Sequence, residues 1–279
     1  MPVSSLFCEG NDKSPDQRML AILLSGICQV RGVGGKYEFS QRIRFARENK
    51  LEVFGIRDRD FNFEDTTYIT SSPRKWQGKD NDKTILLGWY WERTEIENYL
   101  IDPHVVEKAL SSKVTLSIQD YQSALAASAE SLTYYTAARL ALSRSRPRTP
   151  PMSNSWGEKH GKDDHRLPNL RSEKNCREQI ITMTQDYQRA HAINENDVSE
   201  KFEIYLSQCR PHGERFQNFL TFFSGKDLLW SMESSLKSLG FASPNEFRER
   251  ILKGLENSLD SVWTWLPEWQ NLRAELENA

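Results

Sequence analysis

The stretch LEVFGIRDRDF, residues 51–61, ends an apolar run in two aspartates one residue apart, Asp58 and Asp60. A further acidic residue, Glu9, closes the shorter run SSLFCEG near the start of the chain. Carboxylates and water are the ligands that Mg²⁺ and Mn²⁺ favour, and these hard ions usually keep several waters and share the rest of their shell with a phosphate. In an extended strand Asp58 and Asp60 would point to one side, roughly 6.5–7 Å apart. Carboxylate oxygens at about 4 Å would repel by roughly 4 kcal/mol at a moderate effective dielectric. The pattern therefore asks for a divalent cation and a phosphate ester. Against it stands the alternation with Arg57 and Arg59, which a solvated strand end would also show.

The flanking sequence supplies elements able to position these groups. SSLFCEG reads as a first strand. SPDQRMLAILLSGI follows as a helix, with Ser14 and Pro15 as cap and first turn and Met19, Leu20, Leu23, Leu24 and Ile27 at helical spacing. CQVRGVGG is a second strand breaking into a glycine turn, and FSQRIRFARENK a second helix with Ile43, Phe45 and Ala46 inward. LEVFGIRDRD is the third strand, TILLGWYW the fourth, and ERTEIENYLIDPHVVEKAL begins helical structure. Strands alternating with single helices predict an α/β fold with a mostly parallel sheet flanked by helices. Ligands of such sheets sit at the carboxyl ends of the strands, where Glu9, Asp58 and Asp60 can converge.

The second half reads as largely helical. LSIQDYQSALAASAESLTYYTAARLALSRSR, from about Leu116 to the residues before Pro147, predicts one helix of roughly 45 Å. EKNCREQIITMTQDYQRAHAI, VSEKFEIYLSQC, ERFQNFLTFF, KDLLWSMESSLKSLGF and PNEFRERILKGLENSL add amphipathic helices. Between them RSRPRTPPMSNSWGEKHGKDDHR forms a basic, Pro/Ser-rich loop over about 143–170, either a solvated linker or a phosphate-binding arm.

Composition narrows the function classes. The 279 residues carry a net charge of -2, which argues against a bulk polyelectrolyte binder. No apolar run approaches the roughly 18 residues of a membrane span, so no membrane is expected. The first residues lack the regions of a signal peptide, so a cytoplasmic protein is expected. Cys8, Cys28, Cys176 and Cys209 form no CxxC pair and are expected reduced and structural.

Rival motifs fail. In RGVGGKYEF a phosphate loop would need glycine where Val30 stands and a hydroxyl where Tyr37 stands. His160, His165 and Cys176 lack zinc-site spacing. Trp89, Tyr90, Trp91, Trp263, Trp265 and Trp269 are expected to pack rather than to stack bases.

FCEG followed by GIRDRDF resembles the Toprim domain, the metal-dependent catalytic fold of topoisomerases, bacterial primases and nucleases of the OLD family. The likeness covers residues 1–104. RTEIENYLID (93–102) and SGKDLLW (224–230) are similar to segments of the stand-alone Toprim proteins encoded beside OLD-type ABC ATPases in bacterial defence loci, the PARIS anti-phage effectors among them. The resemblance implies a Toprim catalytic domain over 1–104 and a helical domain over 105–279 whose GKD segment, 225–227, contributes to the site. It implies catalytic roles for Glu9, Asp58, Asp60, Glu97 and Lys226. Glu9, Asp58, Asp60 and Glu97 would bind Mg²⁺ or Mn²⁺, with Lys226 countering their charge. Whether Glu95 joins, and whether Asp12 or Asp16 serves as the acidic residue of the first loop, stays open. The implied activity is endonucleolytic hydrolysis of RNA or DNA, with tRNA among the targets. The implied setting is a toxic anti-phage effector, homodimeric when active and held by an ABC/OLD-type ATPase partner. A non-catalytic Toprim-fold binding module is the alternative.

Overall fold

Ser14 accepts a hydrogen bond from the Gln17 N–H (3.3 Å) and Pro15 opens the first turn, so α1 (Pro15–Leu23) begins where its cap residues place it. The computed structural model describes residues 3–34, 39–61, 66–80, 83–110, 116–146, 152–153, 156–159, 166–168 and 171–279. Gly35, Lys36, Tyr37, His160 and His165 lie outside the described residues.

The chain is α/β. Strands β1 (Ser5–Cys8), β2 (Gln29–Gly32), β3 (Val53–Arg57), β4 (Arg74–Asp80) and β5 (Lys83–Tyr90) form one sheet in the order β2-β1-β3-β5-β4. All neighbours are parallel except β4, which pairs antiparallel with β5. Ser5 stands opposite Gln29 on one side and Val53 on the other, so β1 and β3 end level with each other. The chain leaves β1 toward one edge of the sheet and leaves β3 toward the other. That makes the crevice beyond their carboxyl ends a topological switch point.

Helix α2 (Phe39–Glu48) covers one face of the sheet, where Phe39 and Ile43 pack with Trp76 and Leu87. Phe45 is 68% exposed rather than inward, because it lies on the far side of that helix from Phe39 and Ile43. Strand β4 was absent from the sequence-based expectation. It is an edge strand of mostly polar residues, RKWQGKD, in which only Trp76 is buried.

The other face of the sheet shares a continuous apolar core with the helical half, from Leu6, Met19 and Leu20 to Phe247, Ile251 and Trp269. Trp89, Trp91, Trp265 and Trp269 are buried there, as packing residues. Two short helices, α3 (Glu97–Leu100) and α4 (Pro103–Leu110), follow β5. The expected single helix from Leu116 is broken at Leu132 into α5 (Ile118–Ser131) and α6 (Thr133–Ser145). The two pieces answer to different partners: Ser128 Oγ donates to the Leu228 carbonyl (3.0 Å), whereas Thr133 Oγ1 donates to that of Cys209 (3.3 Å).

Helix α7 (Glu173–His191) has no buried residue, and α8 (Glu195–Cys209) packs on α6. Then come α9 (Glu214–Gln217), α10 (Phe219–Phe222), α11 (Gly225–Ser231), α12 (Glu233–Ser238) and α13 (Pro244–Glu256). A 3-10 turn (Val262–Thr264) leads into α14 (Pro267–Glu277). All four cysteines are free. No described helix is long and apolar enough to cross a membrane.

Helix α14 delivers Glu268 into the core, where it accepts hydrogen bonds from the Glu92 N–H (2.7 Å) and the Tyr99 hydroxyl (2.5 Å). Burial pushes its carboxyl from 4.5 up to about 7, against the opposing effect of those bonds. The folded state therefore holds a proton that the unfolded chain releases. Its contribution to stability is fully present below pH 4.5 and is lost as pH rises to about 7, roughly 3 kcal/mol in all. Glu268→Gln, uncharged throughout, should show a flatter stability profile than the wild type between pH 5 and 8 in urea titrations. Equal slopes would contradict this reading.

Candidate functional site

Glu9 follows the last residue of β1 and Asp58 the last residue of β3, so the level ends of the two strands set the two carboxylates at the switch point. Glu9 Oε1 accepts from the Asp58 N–H (3.3 Å), and the Arg57 Nε lies 3.8 Å from the same oxygen. Gly10 turns the chain with φ +81°, and a Cβ there would lie 2.7 Å from Ser14 Oγ. Glycine is thus required for Glu9 and the α1 cap to stand side by side.

The α1 cap also brings in Asp16, in the first turn of that helix. Burial, then the charge of Glu97 and more weakly that of Glu9, push its carboxyl up to about 7, while Lys226 pulls the other way. Burial and the neighbouring Asp16 and Glu9 hold Asp58 well above the ordinary carboxylate range. Glu9, Asp16, Asp58 and Glu97 therefore form one interacting group around the Lys226 ammonium. Of the two first-loop candidates, Asp12 is exposed, whereas Asp16 is half-buried and interacts with the cluster.

Lys226 and Glu97 reach this group through a clasp between α3 and α11. Asn98 is fully buried; its Oδ1 accepts from the N–H groups of Glu95 (3.0 Å) and Gly225 (3.1 Å), and its Nδ2 donates to the Phe223 carbonyl (2.8 Å). Gly225 is needed for the close approach, since a Cβ there would lie 2.4 Å from the Asn98 nitrogen. Glu95 Oε1 accepts from Ser224 Oγ (2.6 Å) and from the Lys226 N–H (2.7 Å), and its Oε2 from Lys226 Nζ (3.0 Å). Against the cost of burial, these contacts hold Glu95 below its usual range. Glu95 thus fastens the GKD segment. Glu97 is buried and pairs with Arg248 on α13 (3.1 Å) and with Lys226 (3.4 Å).

Asp60 departs from the strand geometry expected of it. The strand β3 ends at Arg57, and Asp60 sits in a left-handed turn, φ +51°, with its N–H donating to the Thr94 carbonyl (2.9 Å). Its charge reaches Asp58 more weakly than those of Asp16 and Glu9. Asp60 lines a cleft toward α6. The arginines that alternate with the aspartates are not a solvated pattern. Arg59 is buried with its Nη1 donating to the Glu92 carbonyl (2.8 Å), and Arg57 lies over the Trp76 ring (4.8 Å).

Among the described residues, no group of three or more His, Cys, Asp or Glu side chains is placed closely enough to hold a metal ion as it stands. Carboxylate oxygens are nevertheless the donor type that hard divalent ions take. Asp58 Oδ1 is a buried oxygen without a hydrogen-bond donor, where buried carboxylate oxygens normally have one, and Glu97 Oε2 is met by the Lys226 ammonium at 3.4 Å. Burial, and after it the charges of neighbouring carboxylates, favours protonation of Asp16 and Asp58. Lys226 and Arg248 are the cations in direct contact with Glu97. Arg248 and Asn98 were not singled out from the sequence; Asn98 lies within the quoted ENYL stretch, whereas nothing local marks Arg248. No family model and no curated protein sequence matches the chain.

Proposed function

We propose that this protein is a metal-dependent endonuclease of the Toprim type that hydrolyses phosphodiester bonds. The observation that carries the reading is the convergence of Glu9, Asp16, Asp58 and Glu97 near Lys226 at a sheet switch point, with the buried Asp58 Oδ1 lacking a donor. Glu9, Asp58, Asp16 and Glu97 would hold Mg²⁺ or Mn²⁺, with Asp60 at the margin. A bound divalent ion supplies Lewis-acid polarisation of the phosphoryl oxygen and lowers the pKa of water. The chain's own part is electrostatic and positional. The half-exposed Lys226 ammonium, fixed by Glu95 and Glu97, faces charge that develops on the phosphate.

The resemblance of RTEIENYLID and SGKDLLW to defence-locus Toprim proteins supports a toxic anti-phage effector under an ABC-type ATPase partner, cytoplasmic and homodimeric when active, with tRNA among its targets. The Glu95–Lys226 contacts join these two stretches into one unit. The test is incubation of purified protein with mixed tRNA, single-stranded DNA and plasmid in Mg²⁺, Mn²⁺ or EDTA, together with toxicity on expression. Cutting abolished by EDTA supports the reading. Toxicity equal in wild type and Glu9→Ala, without cutting of any polymer, would instead mark a non-catalytic binding module.

A further inference from the structure

The outer face of α6 carries Tyr135, Arg139 and Leu142 at spacings of four and three, and Arg146, four residues on, caps its C-terminus, so the four side chains form one stripe along the helix and its end. Tyr135 is 55% and Leu142 60% exposed, and Arg146 is exposed. At the inner border of this stripe a cleft of about 300 Å³ is lined by Asp60, Phe61, Arg139, Leu142, Ser143 and Arg146. Its wall is built rather than incidental. Ser143 Oγ donates to the Phe61 carbonyl (3.0 Å), and the Arg139 guanidinium lies 4.6 Å over the Phe61 ring while pairing with Asp227. The same guanidinium lies 5.7 Å from the Tyr135 ring centre. Asp60 and Asp227 tie the cleft to the acidic cluster, since the one is two residues from Asp58 and the other adjoins Lys226.

We propose that this α6 stripe is a track for a single-stranded polynucleotide, holding the few nucleotides that lead away from the phosphate at the acidic cluster. The assignment rests on the nuclease reading above. Single strands are held by a cationic groove along the backbone and by aromatic rings on which bases stack. Tyr135 offers the exposed ring, with Arg139 beneath it. Arg146 offers the backbone cation, about 16 Å further along the helix at 1.5 Å per residue. Leu142, between them, adds apolar surface that a splayed base can cover and a paired base cannot. Asp60 lines the same cleft, and a carboxylate there disfavours phosphate at that end. The track therefore favours a strand whose phosphates sit against Arg139 and Arg146, with the backbone turning in only at the acidic cluster.

Fluorescence anisotropy with labelled 12-nucleotide single-stranded RNA, single-stranded DNA and duplex DNA, in EDTA so that nothing is cut, tests this directly. The proteins are the wild type, Asp58→Ala and the double variant Tyr135→Ala/Arg146→Glu, whose positions are exposed, with circular dichroism confirming the fold. Wild type and Asp58→Ala should bind single strands more tightly than duplex. The double variant should bind at least tenfold more weakly and raise KM for cleavage with kcat unchanged. The RNA and DNA arms identify the sugar. Wild-type binding in the double variant, tighter binding to duplex, or no binding by the wild type would overturn the track. Failure of the nuclease reading looks different: single strands would bind through Tyr135 and Arg146 but remain intact with every metal.

Discussion

Asp58→Ala is expected to lower cleavage by at least 1,000-fold, on the order of 4 kcal/mol of transition-state stabilisation. The residue lies at the switch point and carries a buried oxygen without a donor among the described residues. In the cation-free protein this carboxylate opposes folding, because burial and the charges of Asp16 and Glu9 disfavour its ionised form. The isosteric Asp58→Asn should therefore abolish activity while raising the melting temperature of the EDTA-treated protein. A gain of about 1 kcal/mol corresponds to roughly 2 °C in a chain of this size. A residue kept for structure would behave in the opposite way, with activity falling only as far as stability. Steady-state cleavage and thermal melting of the two variants, measured side by side, separate these cases.

The second large effect is expected at Asn98. Its side chain makes three hydrogen bonds in a fully buried position, two to the backbone on either side of the α3–α11 clasp and one to Phe223. Asn98→Ala leaves the N–H groups of Glu95 and Gly225 and the Phe223 carbonyl without that partner. Each buried group so stranded costs about 1–3 kcal/mol, and a loss of roughly 3–5 kcal/mol, roughly 6–10 °C in melting temperature, is expected. Cleavage should fall as well, since Glu95 and Lys226 are registered against each other through this amide. Chemical denaturation measures the effect. A cost below about 1 kcal/mol would show that the clasp is held elsewhere, by the apolar packing of Leu228 and Leu229.

These two residues also show how much was legible in advance. Asp58 could be placed from sequence because an apolar run with a sharp polar end is a buried parallel strand, and parallel strands present their carboxyl ends to ligands. Asp60 could not. The strand stops at Arg57, and aspartate tolerates the left-handed turn that follows without any local sign of it. The strand β4 was hidden because an edge strand with one buried side chain alternates too weakly to stand out from a polar loop. The break at Leu132 was hidden because no glycine or proline marks it; Ser128 and Thr133 are drawn to different neighbours across the fold. Arg248 pairs with Glu97 across 151 residues of chain, a contact that only the tertiary packing of α13 creates. Glu97 and Lys226 came from the quoted motifs, and the fold brings them to 3.4 Å.

The account stands on the acidic cluster being a cation site, and calorimetric titration of Mn²⁺ into the metal-free protein tests that most directly. The wild type should bind with release of protons at pH 6.5, because Asp16 holds its proton up to about 7 and a carboxylate must shed it to ligate. Asp58→Ala should lose the binding. Absence of Mn²⁺ binding by the wild type, or equal binding by the variant, would contradict the assignment of Glu9, Asp16, Asp58 and Glu97 as a metal centre.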